Sequence, residues 1–323
     1  MPEDEWLLVE IMGAEPTVVA DGGQRRDWTS PWRARAGLGP VGRRLITDAV
    51  RAASASSDAE VVLADSGVGV VAVPVRCAFG TVHGVQVWAG RLDAMPPPRR
   101  RVACWDWNSD TQLAHHGPGL EELIFARAPE DVRVIRTPPE AFGRMVRFDD
   151  RLAYFGLIQD LKPGSCFQGE VDMLGDDGAV RHFQMITRVH PDGEPFIRAL
   201  MHEMVVPSAP STELTMLRAA SRALPNGVGL TMATGLVYEW VREPPPPLDR
   251  WATELPEIHP DDVEAYRAAH LSVVGGAERD GTVLRFRVRF PGTEWIAVGA
   301  ELAGLHHHQP SHGMLRVWPE PLG

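Results

Sequence analysis

The sequence predicts an α+β protein of three domains, and three observations carry that reading. Apolar residues make up 44% and charged residues 23% of the 323-residue chain, a balance that supports packed cores and lies far from the composition of disordered chains. Two breaks rich in proline and small polar residues divide the chain into pieces of single-domain size. Within the pieces, hairpin signals and helix-period segments recur in a similar order.

The first break is Pro96-Pro97-Pro98 followed by Arg99-Arg100-Arg101, and the second runs from Pro207 to Thr212. Proline holds φ and lacks an amide donor, so such runs interrupt helices and ladders. The resulting domains are 1–95, 101–206 and 212–323, with the Pro244 to Pro247 run a loop inside the third. In the first piece a helix is expected at Val41 to Ala53, followed by strands at Glu60 to Leu63, Val68 to Arg76 and Thr81 to Trp88.

In the middle piece Val102 to Trp107 and Gln112 to His116 read as a hairpin, because Asn108, Ser109, Asp110 and Thr111 can bond their own backbone in a turn. Helices are expected at Gly119 to Arg127 and at Pro139 to Leu161, the latter from Phe142, Met145, Leu152, Phe155 and Ile158. Pro163-Gly164 stops the second helix. Strands follow at Cys166 to Leu174, Val180 to His190 and Phe196 to Val205, separated by turns at Gly175 to Gly178 and Pro191 to Gly193. In the third piece Ser211 or Thr212 caps a helix from Leu214 to Ala223. Strands at Gly229 to Met232 and Val237 to Val241 come next, then a helix at Pro260 to Val274. Strands at Val283 to Phe290, Trp295 to Glu301 and Met314 to Trp318 close the chain.

Two phrases resemble the PAS and GAF-like sensor superfamily. Val102-Ala-Cys-Trp-Asp-Trp-Asn-Ser-Asp-Thr111 is similar to the first PAS hairpin, and His259-Pro260-Asp261-Asp262 with Tyr266 beyond it resembles the entry to the last PAS helix. Proline suits a first helical turn and the two acids complement its amide-rich end. The chain also resembles an actinobacterial, mainly mycobacterial, family of cytosolic proteins with three PAS/GAF-like sensor domains and no output domain. The resemblance implies three PAS/GAF-like α+β domains, each a five-stranded antiparallel sheet with helices on one face and an apolar cavity between. It also implies folds that dimerise and relay conformational change.

Acids outnumber bases 43 to 32, for a net charge of −11, so no global basic field favours nucleic acid. Cys77, Cys104 and Cys166 show no CxxC spacing, which argues against a disulfide framework or a zinc site and fits a reducing compartment. The N-terminus is acidic rather than signal-like, and no run approaches the roughly 18 apolar residues of a membrane helix. A soluble, cytoplasmic protein without membrane insertion is expected.

No GxSxG elbow, P-loop or HExxH phrase occurs, since His202-Glu203-Met204-Val205-Val206 lacks the second histidine. Asp106 to Asp110 starts like a calcium loop but has Thr111 at the glycine position. Cys166 is read as structural rather than flavin-reactive. His270 is the best-placed haem candidate but reads as an ordinary helical histidine, and His306, His307, His308 and His312 read as a loop. No metal and no resident cofactor are therefore expected.

The side chains expected to line a ligand site are Trp105, Trp107, Tyr154, Phe155, Phe183, Met185 and Thr187, an apolar wall with few polar tips. Trp105 and Trp107 share one strand face, as do Phe183, Met185 and Thr187. The functional expectation is a non-enzymatic cytoplasmic sensor that binds an unidentified small ligand and acts through an unidentified protein partner, with homodimerisation open. The alternative is a ligand-free scaffold used for dimerisation or partner binding.

Overall fold

The computed structural model of the chain describes residues 5–34, 38–190, 196–205, 219–274, 281–305 and 312–321. In chain order its elements begin β1 (Leu7–Glu10), β2 (Thr17–Asp21), β3 (Gln24–Thr29), α1 (Pro31–Ala34), α2 (Gly39–Ala55), β4 (Val61–Asp65), β5 (Val68–Arg76) and β6 (Val82–Arg91). Then come β7 (Val102–Asn108), β8 (Leu113–His116), α3 (Leu120–Ile124), β9 (Ile135–Arg136), α4 (Pro138–Phe142), β10 (Met145–Phe148) and α5 (Arg151–Asp160). The remainder is β11 (Cys166–Leu174), β12 (Val180–Val189), β13 (Phe196–Glu203), β14 (Val228–Met232), β15 (Val237–Arg242), β16 (Glu257–Ile258), α6 (Pro260–Val274), β17 (Thr282–Arg289), β18 (Ile296–Gly304) and β19 (His312–Pro319). Two compact units result: Met1–Ile135 with Leu161–Ala209, and Arg136–Asp160 with Pro210–Gly323.

The first unit holds two antiparallel sheets packed face to face. The first has strand order β3-β2-β1-β6-β5-β4. Its central strand β1, Leu7-Leu-Val-Glu10, is buried at every position, as befits a short apolar run covered on both faces. On one face α2 lays down Leu45, Ile46, Ala49, Val50 and Ala53, spaced to form one helical stripe, against Leu7, Val9, Val70, Ala72, Val85 and Val87. Complete burial of a side chain such as Ile46 stabilises by roughly 1.5–3 kcal/mol. The opposite face of this sheet carries Leu8, Met12, Val19, Ala20, Val75 and Cys77, which share a core with Cys104, Ile186 and Leu200 of the second sheet.

Within this unit the second sheet runs β11-β12-β13-β7-β8. Its register places Cys104 opposite Leu200 and Leu200 opposite Ile186, so that row faces the first sheet. Polar bonds cross the same interface. Gln184 Nε2 donates to the Val19 carbonyl at 2.9 Å, Gln168 Nε2 donates to the Arg26 carbonyl at 2.9 Å, and Arg188 pairs with Glu10 at 2.7 Å. Glu10 is fully buried, and a buried carboxylate is tolerable because Arg188, Thr17 and the Met12 amide all donate to it.

The second unit is organised by a third sheet, of order β15-β14-β19-β18-β17-β16. Helix α6 begins at Pro260, where the sequence places it, and lays Tyr266, Val273 and Val274 on a core with Trp240, Trp251, Phe286, Val288 and Phe290. Arg287 donates from Nε and Nη2 to the Asp262 carboxylate at 2.8 and 3.0 Å, which ties the helix start to β17. No described helix is long and apolar enough to cross a membrane.

The expected fold class is corrected. The protein is mainly β: among the described residues three antiparallel sheets dominate and helix accounts for 23%, rather than three PAS/GAF-like α+β domains with helices on one face of each sheet. The first sheet is covered by a helix on one face and by another sheet on the other. The long helix expected at Pro139 to Leu161 is three pieces, α4, β10 and α5. Thr137 and Glu140 form a reciprocal cap that starts α4, Gly143 ends it, and Met145-Val-Arg-Phe148 alternates as a strand. Phe142 and Met145 thus have helical spacing without sharing a helix. The helix expected at Leu214 to Ala223, the break at Pro207 to Thr212 and His306, His307 and His308 lie wholly or mostly outside the described residues. The strands of the three sheets span residues 7–91, 102–203 and 228–319, and the compact units number two, with Arg136–Asp160 joining Pro210–Gly323.

Candidate functional site

In the first unit the ladder between β5 and β6 is interrupted once. Val75 pairs with Gly84 and Arg76 with Val82, which leaves His83 as an extra residue. Such a bulge re-aims a side chain. Gly84 beside it lets Leu200 of the second sheet come close, because a Cβ there would lie 2.9 Å from Leu200 Cδ1 and 3.2 Å from the Val9 carbonyl. The His83 ring is therefore delivered into the interface between the two sheets, fully buried, with Nδ1 3.4 Å from the Ala199 carbonyl.

At the other end of the ring His83 Nε2 lies 3.1 Å from Asp106 Oδ1. The pair is at ion-pair distance, yet neither Nε2 nor Asp106 Oδ2 makes a well-formed hydrogen bond among the described residues. Asp106 is on β7, one step along the same face from Cys104. Cys77 closes the group from the turn after β5, where its Sγ accepts from the Phe79 amide at 3.4 Å. One ligand atom each from Cys77, His83 and Asp106 lie within 4.8 Å of one another, and all three residues are buried.

Burial alone pushes the His83 imidazole down, but Asp106, with smaller contributions from Cys104 and Cys77, outweighs it and raises the pKa to about 12. Desolvation pushes the Cys104 thiol up, opposed by His83. Asp106 thus favours the protonated form of the buried His83 ring, with the sulfur atoms of Cys77 and Cys104 beside the pair. The group offers imidazole nitrogen, carboxylate oxygen and sulfur to one point, closed off from bulk water.

The residues expected to line a ligand site fall in two places. Register puts Trp105, Ala199 and Thr187 on one rung, Ala103, Met201 and Met185 on the next, and Phe183 two residues beyond Met185. Trp105, Trp107, Phe183, Met185 and Thr187 therefore share a single face of the second sheet, the one turned away from the first sheet. Phe183, Met185 and Thr187 are fully buried there, and Thr187 Oγ1 has no hydrogen-bond partner among the described residues. Tyr154 and Phe155 belong to the second unit. Phe155 stacks on Tyr238 at 3.7 Å and packs on Phe142 at 4.8 Å, while Tyr154 packs on Phe148 at 5.5 Å. Burial pushes the Tyr154 and Tyr238 hydroxyls upward.

The His83 group was not legible as a site in the sequence, because 29 positions separate Cys77 from Asp106 and no two of its members have ligand spacing. The one available signal was His83-Gly84 inside a strand run, where glycine marks a bulge or a close approach. His270, singled out from the sequence, is fully buried; its Nδ1 donates to the Tyr266 carbonyl at 2.9 Å, and its Nε2 has no partner among the described residues.

Fold and site together define a β-sheet protein with a polar cluster sealed between two sheets of its first unit. Residues 5–98, which hold β1 to β6, match the family described as Rv3651-like, N-terminal. Over nearly its whole length the chain has the fold of a Mycobacterium tuberculosis protein of known crystal structure, with a TM-score of 0.79 and 19% identity, covering 98% of this chain and 96% of that one. An RNA-binding Light-Oxygen-Voltage receptor aligns over 68% of this chain and 95% of its own at 10% identity, but with a TM-score of 0.27, too low to argue a common fold. No curated protein matches the sequence.

Proposed function

We propose that the chain is a non-enzymatic sensor or adaptor that binds a small apolar or amphipathic ligand on the Trp105 face of its second sheet and acts through protein contacts. The observation that carries this reading is the Thr187 hydroxyl, fully buried on the sheet face that also carries Trp105, Met185 and Phe183, and without a hydrogen-bond partner among the described residues. An unpaired buried hydroxyl costs about 1–3 kcal/mol, and an apolar wall with one polar group to satisfy is the usual composition of a small-molecule site.

Native mass spectrometry of protein purified from its own host tests it, with a co-purifying small molecule as the expected result. The variant Thr187→Val sharpens the test. It should melt at or above the wild-type temperature when ligand-free, since it removes an unsatisfied group, and it should lose the stabilisation that a host lipid extract gives the wild type. A wild type that carries no small molecule and is not stabilised by the extract would leave the scaffold alternative.

A further inference from the structure

We propose that Cys77, His83 and Asp106 form a zinc-type metal site, beside Cys104, that clamps the two sheets of the first unit together. The inference is independent of the ligand reading above and departs from the metal-free expectation drawn from residue spacing. Four observations converge on it. The three donors come from two different sheets and place one ligand atom each within 4.8 Å of the others, near enough for small side-chain movements to reach metal–ligand distances of about 2.0–2.3 Å. Two of the polar atoms aimed into that space, His83 Nε2 and Asp106 Oδ2, are buried without a well-formed hydrogen bond among the described residues, the condition that a bound ion resolves.

The surrounding groups are arranged as supports of metal ligands are. His83 Nδ1 faces the Ala199 carbonyl at 3.4 Å, and a carbonyl at that position fixes the tautomer that leaves Nε2 free to coordinate. The Phe79 amide donates to Cys77 Sγ, which steadies a thiolate. Gly117 backs Cys104, since a Cβ there would stand 3.2 Å from its Sγ and 2.8 Å from its carbonyl.

Charge and softness choose the ion. On binding, Cys77 gives its S–H proton and His83 its Nε2–H proton to solvent, so that a thiolate, a neutral imidazole and the Asp106 carboxylate meet the ion and their two negative charges balance a divalent cation without leaving net charge in the interior. Sulfur with imidazole favours zinc over calcium or magnesium, which take oxygen. A site so enclosed is structural rather than catalytic, because catalytic zinc keeps an open position.

The test uses the full chain under reducing conditions. Protein stripped with chelator and titrated with Co2+ should take up one equivalent and develop a thiolate-to-cobalt charge-transfer band, and Zn2+ should displace it and raise the melting temperature. Cys77→Ser and His83→Gln should each weaken uptake by at least about 10-fold, whereas Cys166→Ser, at an exposed cysteine, should leave it unchanged. If either ligand variant does not fold, the wild-type titration decides. No charge-transfer band and no zinc-dependent shift in the wild type would overturn the site, as would undiminished uptake in both ligand variants or band loss in Cys166→Ser.

Discussion

His83 and His270 are both shut away from solvent, one in each compact unit, and their charges differ. His270 donates to a neutral carbonyl in the apolar core of the third sheet, and burial lowers its pKa to about 4. His83 meets a carboxylate, and the pKa goes to about 12 against the same desolvation. Depth alone therefore does not set the charge of a buried histidine; the group 3 Å away does. The first unit holds a cation that needs its partner, and the second holds a neutral ring that must stay neutral.

The largest test of that contrast is Asp106→Asn in metal-stripped protein. It leaves His83 without a counter-charge and should cost about 3–5 kcal/mol in denaturant unfolding. A loss of less than about 1 kcal/mol would mean that the pair is worth no more than a surface contact.

Next in size is the acid response of the second unit. Because the folded pKa of His270 lies below that of the unfolded chain, its contribution is complete above about pH 6.5 and is lost as pH falls toward about 4. The loss is roughly 3 kcal/mol at most. His202, lowered by burial to about 4, adds a loss of the same sign in the first unit. Stability of His270→Leu, measured across that window, should fall less steeply than that of the wild type, and equal slopes would break the comparison.

The smallest effect belongs to Asp262, whose carboxyl Arg287 holds below the usual range in a partly exposed pair. Asp262→Asn should lower the melting temperature by less than either preceding change, because solvent screens the pair.

Hairpins and caps were legible in the sequence because they are local. Gly175 to Gly178 joins β11 to β12 as expected, and Pro260 opens α6 with Asp261 and Asp262 in its first turn. Trp105 and Thr187 were legible separately, each by a two-residue period. Their common face was not, since it depends on β13 lying between their strands and supplying Ala199 to both. The break of Pro139 to Leu161 into three elements was masked by hydrophobic spacing that suits a helix. Tyr154 and Phe155 were consequently expected on one long helix of the middle piece, whereas they lie on the short α5 in an aromatic cluster of the second unit. Nothing local in Cys77, His83 or Asp106 announces that two sheets will bring them together.

The bulge at His83 also fixes how the chain tolerates changes of length. Elsewhere in β6 the loss of one residue would turn every following side chain to the opposite face and expose the Val85, Val87 and Ala89 row that packs under α2. At His83 alone, a deletion would bring Val82 and Gly84 into successive register with Arg76 and Val75, so the hydrophobic row would keep its side. The first sheet would accept the shortened strand. The second would not, because Asp106 would be left facing a neighbour with nothing to offer it. A shortened chain should thus retain its helix-covered core and fail at the seam between the sheets, so that the spare residue in one strand is held in place by a carboxylate in another.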